Sequence, residues 1–160
     1  TWRYAVIPPQ YPGNGGDCRI QVSTNGLTGV VPTGVYSLTP TDQFAIILDS
    51  PAGSLLNQTF ALAYTPYVQG APPAGISLLG GGGPADVGVD PANVGVVLDS
   101  LGPPTSVFVP TLVSGGLQLG PYNVPGGLTG SALNLQIFAT APGFNPVSIA
   151  TSDAAVLEFQ

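Results

Sequence analysis

The sequence predicts an all-β protein, a β-sandwich of the immunoglobulin-like or jelly-roll-like kind with about nine or ten short antiparallel strands. Short apolar runs alternate with polar residues at the period of two that is typical of strands. Gly and Pro, with 23 and 18 of the 160 residues, separate these runs as turn residues. Hydrophobic residues make up 44% of the chain, which favours a folded domain over disorder.

The tail of the chain has the clearest alternation, and we expect it to form the core of the sandwich. Leu133, Leu135 and Ile137 occupy every second position of one run, as in a half-buried strand. A break with two prolines and a glycine follows, and the alternation resumes from 154 to 159. The tail therefore predicts two strands against which the earlier strands pack.

The earlier runs predict the remaining strands in chain order. They lie at 19–23, 35–38, 43–48, 55–64, 76–79, 94–98, 106–113 and 116–119. Most are rich in the β-branched and aromatic residues that fit a pleated surface. No stretch repeats apolar residues at the helical period, so no helix is predicted.

The first residues predict an N-terminal arm in front of the sandwich domain. Residues 1–16 are interpreted as a β-type arm with a Pro- and Gly-rich spacer, and residues 17–160 as the sandwich. The arm either folds back as a strand of its own domain or adds to the sheet edge of a neighbouring molecule. Its candidate donor-strand residues are Trp2, Tyr4, Val6 and Ile7.

Charge and length exclude several classes of partner. The net charge is −6, and Arg3 and Arg19 are the only basic side chains, which disfavours binding to nucleic acid or to an anionic membrane surface. No apolar run approaches the ~18 residues of a spanning segment, so membrane insertion is not expected. Because the chain begins with Thr1 rather than Met, we expect an extracellular or cell-surface protein after removal of a signal peptide.

The residue types present leave little catalytic chemistry. The chain has no His and no Lys, so imidazole catalysis and lysine Schiff bases are absent, and we predict that it is not an enzyme. No cofactor is predicted, although Asp86, Asp90 and Asn93 form a candidate Ca²⁺ site of oxygen ligands on one loop. The single Cys18 cannot pair within the chain, so it is either a buried, unreactive thiol or an interchain thiol.

Two motifs in the tail resemble a known type of module. They are Leu128-x-Gly130-x-x-Leu133-x-Leu135-Gln136-Ile137 and the run from Ser148 to Leu157. This pattern is similar to the end of a secreted β-rich module of planctomycete and related exported proteins. The stretches 44–53 and 74–80 also fit its earlier strands, so the resemblance extends over about residues 17–160. The resemblance implies a β-rich surface module and lends no catalytic residue.

Two functions from different classes follow as expectations. The first is an extracellular structural subunit that assembles with copies of itself into a filament, sheath or surface layer by donating its N-terminal strand. Low charge and a high apolar fraction favour it, because little repulsion keeps the copies apart. The alternative is a carbohydrate-binding or adhesive β-sandwich in which tyrosines contact glycans and Ca²⁺ is a candidate ligand.

Overall fold

The protein is a β-sandwich of two sheets, seen in a computed structural model that describes residues 11–14, 16–29, 31, 33–78, 86–101, 111–144 and 146–160. Within these residues the strands are β1 Arg19–Thr24, β2 Leu27–Gly29, β3 Val35–Leu38, β4 Gln43–Asp49, β5 Phe60–Val68, β6 Gly95–Asp99, β7 Leu117–Asn123, β8 Ser131–Thr140, β9 Ile149–Thr151 and β10 Ala155–Phe159. The described residues form no helix, and therefore none that could cross a membrane. The all-β prediction is confirmed.

The strands form two open sheets. The first sheet has the order β2-β1-β4-β7, and the second sheet has the order β3-β10-β8-β5-β6, with β9 paired to β8. All of these pairs are antiparallel except β3 and β10, which are parallel. This corrects the prediction that all strands are antiparallel. The two strands are far apart in sequence, so they are not the arms of a hairpin and can run in the same direction.

The main hydrophobic core takes its side chains from both sheets. Leu48 from the first sheet and Phe60, Leu62, Ile137 and Leu157 from the second sheet are almost fully buried. Burying one such side chain contributes about 2 kcal/mol. The tail strand β8 pairs with β10, β5 and β9 and lies in the middle of the second sheet, so earlier strands do pair with the tail.

Turn residues explain where the strands depart from the sequence prediction. The predicted strand 55–64 begins only at Phe60, because Asn57 has a φ of 64° and the Gln58 N–H donates to the Leu55 carbonyl. Strand β2 was not predicted, although Asn25-Gly26 has positive φ at both positions and is a typical hairpin turn. At Asn57 the turn interrupts an alternation that predicted a longer strand. At Asn25-Gly26 the turn forms a hairpin whose second strand, β2, is too short to show alternation.

Two other predicted strands are only partly described. Of the predicted strand 76–79, the described residues contain one isolated bridge, between Ile76 and Val87. Of the predicted strand 106–113, residues 106–110 lie outside the described residues. The predicted strand 116–119 is the start of β7, which continues through Pro121 to Asn123.

A second, smaller apolar layer covers the outer face of the second sheet. Val87 and Val89 pack on Ala63 of β5, with Leu78 and Phe138 beside them. Because both faces of β5 and β8 are thereby covered, these two strands are buried on both sides along much of their length.

Buried amide groups join this outer layer to β8. The Gln136 side chain is fully buried; its Oε1 accepts the Gly88 N–H at 2.8 Å, and its Nε2 donates to the carbonyls of Asp86 and Ser152 at 2.9 Å. The Asn134 Nδ2 donates to the Gly88 carbonyl at 2.7 Å, while its buried Oδ1 has no partner among the described residues. These bonds fix the loop at Gly88 to the sheet.

The described end of the predicted spacer packs onto the sandwich. Tyr11 is only 2% exposed, and its carbonyl accepts the Ala154 N–H at 2.9 Å. The Gly13 N–H donates to the Asp86 carbonyl at 3.0 Å, and the Asn14 Oδ1 accepts the Thr151 N–H at 2.9 Å. Residues 11–14 therefore contribute to the body of the domain, although the sequence predicts a spacer there.

Candidate functional site

Strand β6 forms one outer edge of the second sheet, and its exposed side chains are mostly apolar. It pairs with β5, and its opposite edge has no strand partner in the described part of the chain. Val96 and Val97 are 51% and 45% exposed. A β-bulge in the pairing with β5 accounts for two consecutive exposed side chains. Val94 and Leu101 extend the patch, and we call the segment 94–101 the β6 edge.

The other three sheet edges have features that usually block strand pairing. Strand β2 has three residues and β3 has four, and very short edge strands offer few backbone groups to a partner. Strand β7 contains Pro121, which has no N–H to donate. Strand β6 has five residues, no proline and one charged side chain, Asp99. Its bulge at Val97 twists the edge, but among the described edges it has the longest run of consecutive residues without a proline, and its exposed side chains are mostly apolar.

A groove of about 310 Å³ lies at the other end of the second sheet, between β1 of the first sheet and β3 and β10. Its apolar lining includes Ile20, Tyr36 and Ala155. Its charged lining residues are Asp17, Asp153 and Arg19, and Arg19 is paired with Asp49. We call it the acidic groove. The sequence did not predict it, because its residues come from strands of both sheets and from separate turns.

Cys18 lies at the acidic groove as a buried thiol. Burial, and then the negative charges of Asp17 and Asp153, raise the pKa of the Cys18 thiol to about 12. The thiolate, which is the form that reacts, is therefore scarce near neutral pH. Cys18 is thus a buried thiol in the structure, and the interchain thiol stays a prediction.

Asp17 organises the turn that follows β4. Its carboxylate accepts hydrogen bonds from the hydroxyls of Ser50 and Ser54 at 2.6 and 2.8 Å, and from the backbone N–H groups of Ala52 and Ser54 at 2.8 and 2.9 Å. Burial alone raises the pKa of Asp17, but these four hydrogen bonds together lower it to about 2. Asp17 therefore stays ionised at the groove.

Substituting Asp17 by Asn tests this turn. Because the folded pKa is below the ordinary value, the stabilisation from Asp17 is complete above about pH 4 and is lost as the pH falls toward 2. We expect Asp17→Asn to lower the free energy of unfolding at pH 6 by about 1 to 2 kcal/mol, since the group is partly screened by solvent. Urea unfolding at pH 6 and pH 2.5 measures this. A difference between wild type and variant that does not shrink at pH 2.5 would contradict the account.

The candidate Ca²⁺ ligands are already engaged in turns. Asp90 accepts hydrogen bonds from the Ala92 N–H at 2.9 Å and the Asn93 amide at 2.6 Å, while Asp86 accepts one from the Leu78 N–H at 2.9 Å. The bonds from Asn93 and then Ala92 lower the pKa of Asp90. The described residues contain no group of three or more His, Cys, Asp or Glu that could hold a metal ion. The Ca²⁺ site stays a prediction.

The described tyrosines lie mostly inside the protein. Tyr11 and Tyr36 are buried, and Tyr64 and Tyr67 are half-buried. Burial, and then the negative charge of Glu158, raise the pKa of Tyr67 to about 12. Tyr122 is exposed and packs against Phe44 with the ring centroids 5.6 Å apart. The described residues thus offer few exposed rings for stacking on sugars, and glycan binding stays a prediction.

The candidate donor-strand residues Trp2, Tyr4, Val6 and Ile7 lie outside the described residues. No family model, no curated protein and no solved structure matches the chain. The resemblance to a planctomycete-type module therefore stays a prediction, and the class defined by the structure is that of a β-sandwich with an open apolar edge and an acidic groove.

Proposed function

We propose that this protein is an extracellular, non-enzymatic structural subunit that assembles with copies of itself into a filament, sheath or surface layer. The observation that carries the proposal is the β6 edge, which has one described strand neighbour, β5, and whose exposed side chains are mostly apolar, with Asp99 as the one charged residue. An exposed apolar edge strand offers backbone N–H and C=O groups to a strand from another molecule. Pairing would also remove the apolar side chains from water.

Two β6 strands fit one another in an antiparallel pair about a two-fold axis at Val97. Val96 of one copy then lies opposite Leu98 of the other, and Gly95 lies opposite Asp99. The only charge on the strand thereby faces a glycine rather than its own copy, so no like charges are paired. The apolar side chains meet across the pair.

The low charge of the chain supports close packing of copies. Only 6% of the residues are charged, and the net charge of −6 is spread over 160 residues. Few charged side chains would therefore lose their solvation when two copies come into contact. A two-fold β6 contact alone closes into a dimer, so a filament or layer needs a second contact surface.

Substituting Val96 by Lys tests the proposal. A lysine on an edge strand blocks pairing, because each copy would bury a charge at the contact. We expect Val96→Lys to weaken self-association at least about tenfold, a loss of about 1.4 kcal/mol, with the folded state unaffected because the side chain is exposed. Sedimentation velocity over a concentration series measures the association.

Leu27→Lys is the matched control. Leu27 is the most exposed of the large apolar residues, at 79%, and lies on the three-residue edge strand β2. The Leu27→Lys variant should assemble like the wild type, because it adds the same positive charge as Val96→Lys but leaves the β6 edge intact. Equal loss of association in both variants would refute a role for β6, as would undiminished association of Val96→Lys.

A further inference from the structure

We propose that the acidic groove receives the segment Thr1–Ile7 of a second copy of this chain, with Arg3 bound between the carboxylates of Asp17 and Asp153. The proposal rests on the self-assembly proposed above and supplies the second, head-to-tail contact that a polymer needs. The segment lies outside the described residues, whereas the named residues of the groove that would receive it lie within them.

The acidic groove is lined by residues at the margin of the main core. Cys18, Ile20 and Tyr36 belong to the core cluster and also line the groove, and Val31 packs against the same cluster while lining it. An apolar side chain that entered the groove would extend the core and leave water. In a strand, Trp2, Tyr4 and Val6 lie on one face, and this face supplies such side chains.

Two strands that line the groove, β1 and β3, have backbone positions with only one strand neighbour among the described residues. Strand β1 pairs with β4 from Arg19 to Thr24 but with β2 only from Val22 to Thr24, so 19–21 have one described strand neighbour. Strand β3 pairs with β10 alone. A strand laid in the groove would therefore find N–H and C=O partners, as in strand addition to a sheet edge.

The carboxylates of Asp17 and Asp153 favour an occupant of the groove that carries a cationic side chain. Asp17 is held ionised by its four hydrogen bonds. Asp153 is an exposed residue that makes no ion pair or hydrogen bond with the described residues, and partial loss of solvent around its carboxyl raises its pKa. A cation placed beside Asp153 would offset the loss of solvation of its charged form.

The sequence leaves one side chain to supply this cation. Arg19 is bound to Asp49, with its Nε 3.0 Å from Oδ1. The chain has no Lys and no His, so Arg3 is the only other basic side chain. In a strand Arg3 points away from the face of Trp2 and Tyr4, so it can reach the carboxylates when that face meets the apolar lining of the groove.

Two full-length charge variants test the contact. Arg3→Asp places like charges at the contact by changing the arm, and Asp153→Arg does so by changing the groove. Each variant alone is expected to stop at the dimer formed by the β6 edges. In an equimolar mixture every arm can meet a groove of opposite charge, so larger species should return in sedimentation velocity. A contact within one chain would not respond to mixing.

A neutral substitution of Asp153 and the emission of Trp2 provide two further measurements. Asp153→Asn, at an exposed position, is expected to weaken growth beyond the dimer about tenfold without adding bulk, a loss of about 1.4 kcal/mol. Trp2 is the only tryptophan, so its emission should shift to shorter wavelength as the concentration rises. A blue-shifted emission that is independent of concentration would place the arm in its own groove and overturn the proposal.

Different results would contradict self-assembly and the contact between the arm and the acidic groove. If the wild type stays monomeric at every concentration, self-assembly itself fails. If Val96→Lys reduces association but Arg3→Asp or Asp153→Arg still grows beyond the dimer alone, only the assignment of the groove fails. If the mixture forms no species larger than the dimer while the wild type does, the assignment of the acidic groove as the binding site of the arm also fails.

Discussion

Replacing Gly88 by Ala is expected to lower the free energy of unfolding by about 3 kcal/mol. A Cβ atom at this position would overlap the Asn134 amide nitrogen and the ring of Tyr11. Both side chains are buried almost completely, so neither can move aside. The Gly88 N–H and carbonyl are also bound to Gln136 and Asn134, and any shift of the backbone would strain both bonds.

Gly126→Ala is the control for this substitution. A Cβ atom at Gly126 meets no atom within 4 Å, and the residue has no positive φ. Its substitution should change stability by no more than about 0.5 kcal/mol. Chemical unfolding of both variants at neutral pH gives the comparison. A Gly88→Ala variant as stable as Gly126→Ala would show that the loop at Gly88 is not fixed on β8.

Replacing Gln136 by Leu is expected to cost about 4 kcal/mol, because it leaves two buried backbone groups without partners at about 1 to 3 kcal/mol each. Those groups are the Gly88 N–H and the Ser152 carbonyl, while the Asp86 carbonyl keeps the hydrogen bond from the Gly13 N–H. Leucine is similar in size to glutamine, so the loss reports hydrogen bonding rather than an empty volume.

Gln118→Leu is the matched control for this change. Gln118 lies on β7 and is exposed, so its substitution should be nearly neutral. Thermal unfolding followed by circular dichroism compares the two. If Gln136→Leu matches Gln118→Leu in stability, the buried amide layer does not hold the loop, and the outer layer of the second sheet must be held by apolar contacts alone.

Local patterns in the sequence were sufficient for much of the fold. Alternation of apolar residues located β3 and most of β4, and it predicted strands in the tail with which earlier strands pair. It misplaced the start of β5, because the alternation continues through Leu55 while the backbone turns at Asn57. Apolar periodicity reports burial, and Leu55 is buried without being in a strand.

The candidate sites depend on topology, which the sequence did not reveal. The run Val94–Leu98 was predicted as a strand, but only the pairing order makes it an edge. Gln136 looks like the polar face of a half-buried strand, yet a loop distant in sequence covers it. Asp153 and Asp17 meet at one groove because β1 and β10 lie in facing sheets. Such long-range contacts leave no local signal.

The central claim, that copies associate through β6, is tested most directly by hydrogen exchange of the backbone amides of the β6 edge that do not bond to β5. Ser100 and Leu101 are excluded, because their N–H groups already donate to the Phe60 carbonyl and the Asp99 carboxylate. The assembled protein should protect the measured β6 amides at least about tenfold more than the dilute monomer, because pairing adds hydrogen bonds along the edge. The exposed strand β7 should exchange equally in both states and serves as the internal reference. Assembled material in which the β6 amides exchange as fast as in the monomer would contradict the claim.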